Sequence, residues 1–119
     1  MSPWPGVQNA VTRQTREGQP EGGWVPEQRI SVAQAVEAYT LDAAIAGHRE
    51  RTEGSIQPGK LADLIVVSQD IFRVDPHSIA GTEVLLTMVG GKIVYQSAAW
   101  RSASLPIQCE GCGQVVGGR

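Results

Sequence analysis

The feature that most constrains this chain is the run Leu64-Ile65-Val66-Val67, four consecutive large aliphatic residues. Side chains alternate between the two faces of a strand, so a continuous apolar run requires cover on both faces. Pro58-Gly59, just upstream, fits the centre of a type II turn, with glycine where positive φ is needed. A strand is therefore predicted over Leu61 to Val67. Thr82 to Val89 and Lys92 to Gln96 flank Gly90-Gly91, a two-residue loop suited to the primed turns of a hairpin.

One strong helix is predicted ahead of these strands. Ser31-Val32-Ala33-Gln34 matches a capping box, in which the serine hydroxyl accepts the Gln34 amide and the Gln34 side chain reaches back. Val32, Ala35, Val36, Tyr39, Ala43 and Ala46 then recur at the spacing of one helix face. Ala33, Ala38, Ala44 and Ile45 widen that face, so the helix needs neighbours on more than one side. Gly47 is the expected stop, taking the left-handed conformation that ends a helix. Residues 1 to about 29 are rich in Gly, Pro and polar residues and read mainly as loop, with a short helical stretch around Val7 to Arg13. Trp4 and Trp24 lie within this segment, and large apolar anchors on a loop normally lie against something. Residues 97–119 are small, polar and glycine-rich apart from Trp100 and a few aliphatics, and are expected to form a disordered tail.

The inventory is one helix of about four turns and three strands, an α/β arrangement. With only three Trp, two Tyr and one Phe in 119 residues, the core must come from aliphatics and alanine. A short sheet also leaves its edges unpaired. The chain therefore reads as incomplete, needing a partner or more of itself.

Charge excludes some functions. Ten basic residues against twelve acidic ones, with no basic run, give neither a nucleic-acid footprint nor a patch for anionic membranes. No stretch approaches the roughly 20 apolar residues of a membrane-spanning helix, and Met1-Ser2-Pro3-Trp4-Pro5-Gly6 lacks the pattern of a secretory signal. Cys109 and Cys112 are too close to staple distant parts of a secreted scaffold, so a reducing cytoplasm is expected.

Several stretches together carry a resemblance. They are Ala10-Val11-Thr12-Arg13, Ile30 to Thr40 with Ala43-Ala44, Glu53-Gly54-Ser55-Ile56-Gln57-Pro58-Gly59-Lys60-Leu61-Ala62-Asp63-Leu64 into Ile65-Val66-Val67, and Val84 to Tyr95. In this order they resemble the C-terminal end of the amidohydrolase superfamily, in the exoenzyme-regulator-like branch of metal-dependent hydrolases with a TIM-like barrel. The G-S-I-x-P-G-K-x-A-D-L stretch is the most specific part, and the likeness covers about residues 3–96. It implies the end of a TIM-like barrel, with one main helix, plus the C-terminal strands of a composite β-sandwich. Residues 1–52 would be the loop-rich segment and final barrel helix, 53–96 the sandwich strands and 97–119 the tail.

The resemblance also implies chemistry: hydrolysis of non-peptide C–N bonds by water activated on one or two divalent metals, zinc or similar. The ligands of intact relatives are histidines, often a modified lysine, and an aspartate at the end of the last barrel strand, where barrel active sites lie. That aspartate would fall shortly before the segment that opens here. No ligand position carries over, so no catalytic, cofactor-binding or metal residue is assigned and the chain alone is expected to be inactive.

Individual candidates have bland readings that outweigh functional ones. His48-Arg49-Glu50 with Cys109-Glu110-Gly111-Cys112 partly matches the H-x-E…P-C-x-x-C pattern of zinc deaminases. However, Gln108 stands where proline belongs and His48 lies at a helix exit, where its partial charge suits the dipole. The Cys109–Cys112 pair supplies two of the four ligands of a structural zinc site, so only a second chain would complete it. His77, in Asp75-Pro76-His77-Ser78, reads as a solvated turn residue. Asp63 is expected to accept backbone amides near a turn, and Lys60 to be a turn or surface lysine. Arg13, near the barrel's upper rim in an intact relative, has two readings: a substrate contact, or the favoured surface or interdomain ion pair. The partners expected are a second copy of the chain or the missing barrel portion, with no nucleic acid and no membrane. The alternative to a hydrolase fragment is a self-associating binding or regulatory module, pairing through strand edges, with or without a metal clip at the two cysteines.

Overall fold

The structure, a computed structural model, describes residues 2–103. Its first element is α1 (Trp4–Thr12), begun by the proline-rich Pro3–Pro5 turn and ended by Arg13, whose N–H reaches Asn9 O with φ at 56°. A 3₁₀ turn (Pro26–Gln28) closes the following loop. Next come α2 (Val32–Tyr39) and α3 (Leu41–Ala46), then β1 (Leu64–Val67), a 3₁₀ segment (Pro76–Gly81), β2 (Val84–Val89), β3 (Lys92–Gln96) and α4 (Ala98–Ala103).

The capping box is present in full, with Gln34 N donating to Ser31 Oγ at 3.1 Å and Ser31 N to Gln34 Oε1 at 2.9 Å. The single four-turn helix is corrected, because it breaks at Thr40 (φ −121°, ψ −87°). The Thr40 hydroxyl bonds back to Val36 O at 2.8 Å, the kind of side-chain bond that bends helices. The helix stops at Gly47 as expected, but the left-handed conformation falls one residue later. Gly47 keeps φ at −88°, while His48 takes φ at +54°. His48 N donates to Ile45 O at 2.9 Å and Arg49 N to Ala44 O at 2.8 Å, the paired bonds of a Schellman cap.

The three strands form one antiparallel sheet in the order β1-β2-β3. Ile65, Thr87 and Tyr95 are register partners across it, as are Leu64, Met88 and Ile93. Both hairpin glycines have positive φ, at 56° and 78°, as a primed turn requires. The first strand is shorter than the predicted Leu61 start, because Leu61 to Asp63 belong to the turn that brackets the hairpin: Gly91 N donates to Ala62 O at 3.1 Å. The expected tail is corrected at its beginning. Ser97 Oγ accepts from Trp100 N at 3.0 Å and opens α4, whose alanines favour helix. Cys109, Cys112 and the rest of the expected tail lie outside the described residues.

The core is small. Trp4 and Val7 of α1, Ala35 of α2, Ile71 and Ile79 are buried together, with Val11, Val32, Val36, Val67 and Val74 packed around them. Gln8 is a buried polar member of this contact: its side-chain oxygen accepts Ala80 N at 2.8 Å and ties α1 to the Pro76–Gly81 segment. Thr12 Oγ1 donates to Gln8 O at 2.9 Å, so the buried polar groups satisfy one another.

Candidate functional site

The most specific motif of the sequence folds into a compact loop beside a cleft. The turn Gln57-Pro58-Gly59-Lys60 closes by Lys60 N donating to Gln57 O at 3.2 Å, with Gly59 at φ 91°. Lys60 Nζ then donates inward to Glu53 O at 3.0 Å and Ser55 Oγ at 2.6 Å. This lysine is thus the post around which residues 53–60 wrap. Asp63 accepts Gly90 N at 2.6 Å, which fastens the loop to the hairpin turn. Its role is that of an amide acceptor, with the amide supplied 27 residues away.

Gly54 explains why the loop can sit against α3. It has φ at 84°, and a Cβ there would lie 2.7 Å from Ala44 Cβ and 3.0 Å from Leu41 Cα. The cleft beside it, about 570 Å³, is bounded by α3, the motif loop and the exposed flank of β1 and β2. Tyr39, Ile56, Ile65 and Val89 give it apolar walls, and Arg49, Glu53 and Asp63 are the charged groups on its rim. Arg49 and Glu53, four residues apart in the turn after α3, pair at 3.4 Å. Asp63 is engaged on a backbone amide, and Lys60 on a backbone carbonyl and the Ser55 hydroxyl, so both serve to hold the loop.

The histidines stand apart from it. His48 is exposed at the α3 exit, in the cap described above. His77 is not merely solvated: its Nδ1 lies 3.1 Å from Asp75 Oδ1, and its Nε2 lies 2.7 Å from Gln14 Oε1 on the loop after α1. The His77 backbone N–H, followed by its ring, holds the Asp75 carboxyl below the usual aspartate range. Among the described residues no three His, Cys, Asp or Glu side chains are grouped so as to hold a metal ion.

Among the described residues Arg13 forms no ion pair and is held instead by hydrogen bonds. Its Nε donates to Trp24 O at 3.1 Å and Nη2 to Gln28 Oε1 at 3.2 Å, while the guanidinium lies 5.2 Å from the centre of the Trp24 ring. Trp24 N returns a bond to Arg13 O at 2.8 Å, so the two residues clamp the ends of the intervening loop. Sequence reasoning missed this pairing. The only signal was a Trp on a loop shared with an unpaired arginine.

Comparison with known proteins supplies context. Residues 1–95 match the model of the amidohydrolase family. The chain is 31% identical to YtcJ of Bacillus subtilis over 98 residues, covering 82% of this chain and 18% of that protein. It is 33% identical to the N-substituted formamide deformylase of Arthrobacter pascens over 87 residues, covering 73% of this chain and 16% of that enzyme. An imidazolonepropionase of Bacteroides thetaiotaomicron is 31% identical over 65 residues, or 55% of this chain and 16% of the enzyme. The chain thus spans less than a fifth of the length of these curated relatives. No solved structure matches it.

Proposed function

The chain belongs to the amidohydrolase family, and from that premise we propose that it is the C-terminal portion of a metal-dependent hydrolase of non-peptide C–N bonds, inactive by itself. Its helices would pack on the closing part of a TIM-like barrel, and its three strands would be the C-terminal share of a composite β-sandwich. The observation that carries this reading is the surface. Seven apolar residues are buried among the described residues, whereas twelve large ones remain exposed, including Ile65, Ile93, Val94 and Tyr95 of the sheet. A self-sufficient domain leaves scattered apolar residues outside but buries the faces of its own sheet. The apolar run of β1 is half uncovered, with Ile65 at 46% exposure.

Intact family members would supply a divalent metal to activate water. The described residues do not fit that metal, since no suitable side chains converge among them. Among the described residues no helix is long and apolar enough to cross a membrane. We place the protein in the cytoplasm on the cysteine spacing alone. The test is the DNA immediately upstream of the Met1 codon. An open frame continuing into barrel strands with histidine ligands supports the reading, and a stop codon with no barrel-encoding gene nearby removes it.

The edges of β1 and β3, unpaired among the described residues, favour a second reading, a module that associates with its own copies. A zinc content of about half an equivalent per chain would support a clip shared by Cys109 and Cys112 of two copies, and no zinc would remove that clip.

A further inference from the structure

Beside the Arg13–Trp24 clamp lies a second, shallow cleft of about 290 Å³. It is lined by one cation, Arg13, by the amides of Asn9, Gln14 and Gln19, by the Thr15 hydroxyl and by the Trp24 ring, with no carboxylate among its walls. Glu21 and Glu27 belong to the same segment but do not line it, and Glu17, also outside the lining, has its carboxyl held below the usual range first by the Thr15 side chain at the cleft's edge. Arg13 has no ion-pair partner among the described residues, and its two hydrogen bonds, to Trp24 O and Gln28 Oε1, use two of its five N–H donors. Three donors and the full positive charge therefore remain.

The cleft is also built rather than incidental. Trp24 is 67% exposed, yet Arg13 holds both its ring and its backbone. The arginine stacks on it, and Trp24 N and O both bond to Arg13. Arg13 and Val25 adopt φ of 56° and 52°, a region that side-chain-bearing residues avoid and that is especially costly for a β-branched one. Such strain persists where surrounding contacts impose it. Gly23 cannot be replaced between them, because a Cβ would meet Thr12 O at 2.6 Å. Gln14 Nε2 is spent on Gly18 O at 2.9 Å and Pro20 O at 3.0 Å, which holds the opposite wall.

We propose that this cleft is a binding site for a small aromatic carboxylate, its anion on Arg13 and its ring against Trp24. A guanidinium offers a planar fork suited to a carboxylate, an indole face offers a flat apolar surface, and the volume suits a single ring better than a macromolecule. Every group comes from this chain, so the site does not depend on the hydrolase reading and is tested without catalysis.

The experiment is a titration of the full, isotope-labelled chain with benzoate, benzamide and inorganic phosphate, followed by nuclear magnetic resonance. Benzoate is expected to shift the Trp24 indole and the Gln14 and Gln19 side-chain amides saturably, leaving the buried Trp4 indole unmoved. Benzamide, which keeps the ring and lacks the charge, is expected to bind at least about ten-fold more weakly, and phosphate, which lacks the ring, also more weakly. R13Q should abolish the preference for benzoate over benzamide, and R13K should retain part of it. Equal binding of benzamide would overturn the proposal, as would equal binding of phosphate or an absence of saturable shifts. If R13Q does not fold, the comparison of benzoate with benzamide on the unaltered chain decides the matter.

Discussion

His48 and Gly54 stand close together after α3 and have opposite relations to glycine. His48 occupies a left-handed position that glycine would take without strain. H48G should therefore stabilise the chain by a few tenths to about 1 kcal/mol, the relief of strain being partly offset by added freedom in the unfolded chain. Urea denaturation of the two chains under one buffer condition checks it. Gly54 occupies a position no side chain fits, so G54A should cost about 2–4 kcal/mol by overpacking against Ala44 and Leu41 and by its positive φ. Asp75 gives a pH signature. Its carboxyl is held down in the folded chain, so its contribution is complete above the ordinary aspartate range and is lost as pH falls through the lower folded value. Wild type should lose thermal stability below about pH 4 more steeply than D75N, whose amide oxygen can still accept from His77 N. Parallel pH profiles would contradict the assignment.

At the scale of elements, what was legible was local chemistry. The capping box, the turn at Pro58-Gly59 and the Gly90-Gly91 hairpin each need specific residues at neighbouring positions, and each formed as those residues require. The break at Thr40 was not legible, because the apolar spacing runs through it unchanged from Val36 to Ala43. Threonine is an ordinary helix residue until its hydroxyl bonds back along the chain. The Arg13–Trp24 clamp was hidden for a related reason: it joins residues eleven apart through a loop whose course depends on two left-handed non-glycine residues. The cap offers the element-scale test. S31A should lower stability by about 1 kcal/mol, since the Gln34 amide loses its acceptor at the start of α2. A change in denaturation midpoint within error of zero would show that α2 is held by packing of Ala35 and Val36 alone.

For the whole molecule, the family match and the surface point the same way. Residues 1–95 follow the amidohydrolase pattern, yet the chain spans under a fifth of its relatives, and much apolar sheet and helix surface is exposed among the described residues. One Glu50 carboxylate oxygen is also buried with no hydrogen-bond partner among the described residues, a group that normally has one. The sequence already implied this shortage, because Leu64 to Val67 asks for two covered faces and three strands provide too little surface. What covers it was not legible, since a cover supplied by another chain leaves no trace in local patterns. Sedimentation equilibrium of the purified 119-residue chain over a range of concentrations tests the central claim most directly. An unfinished surface should associate, giving a mass above the 12.7 kDa of one chain that rises with concentration. A single species of 12.7 kDa at every concentration, binding no apolar dye, would contradict it, because such a chain would have closed its own core.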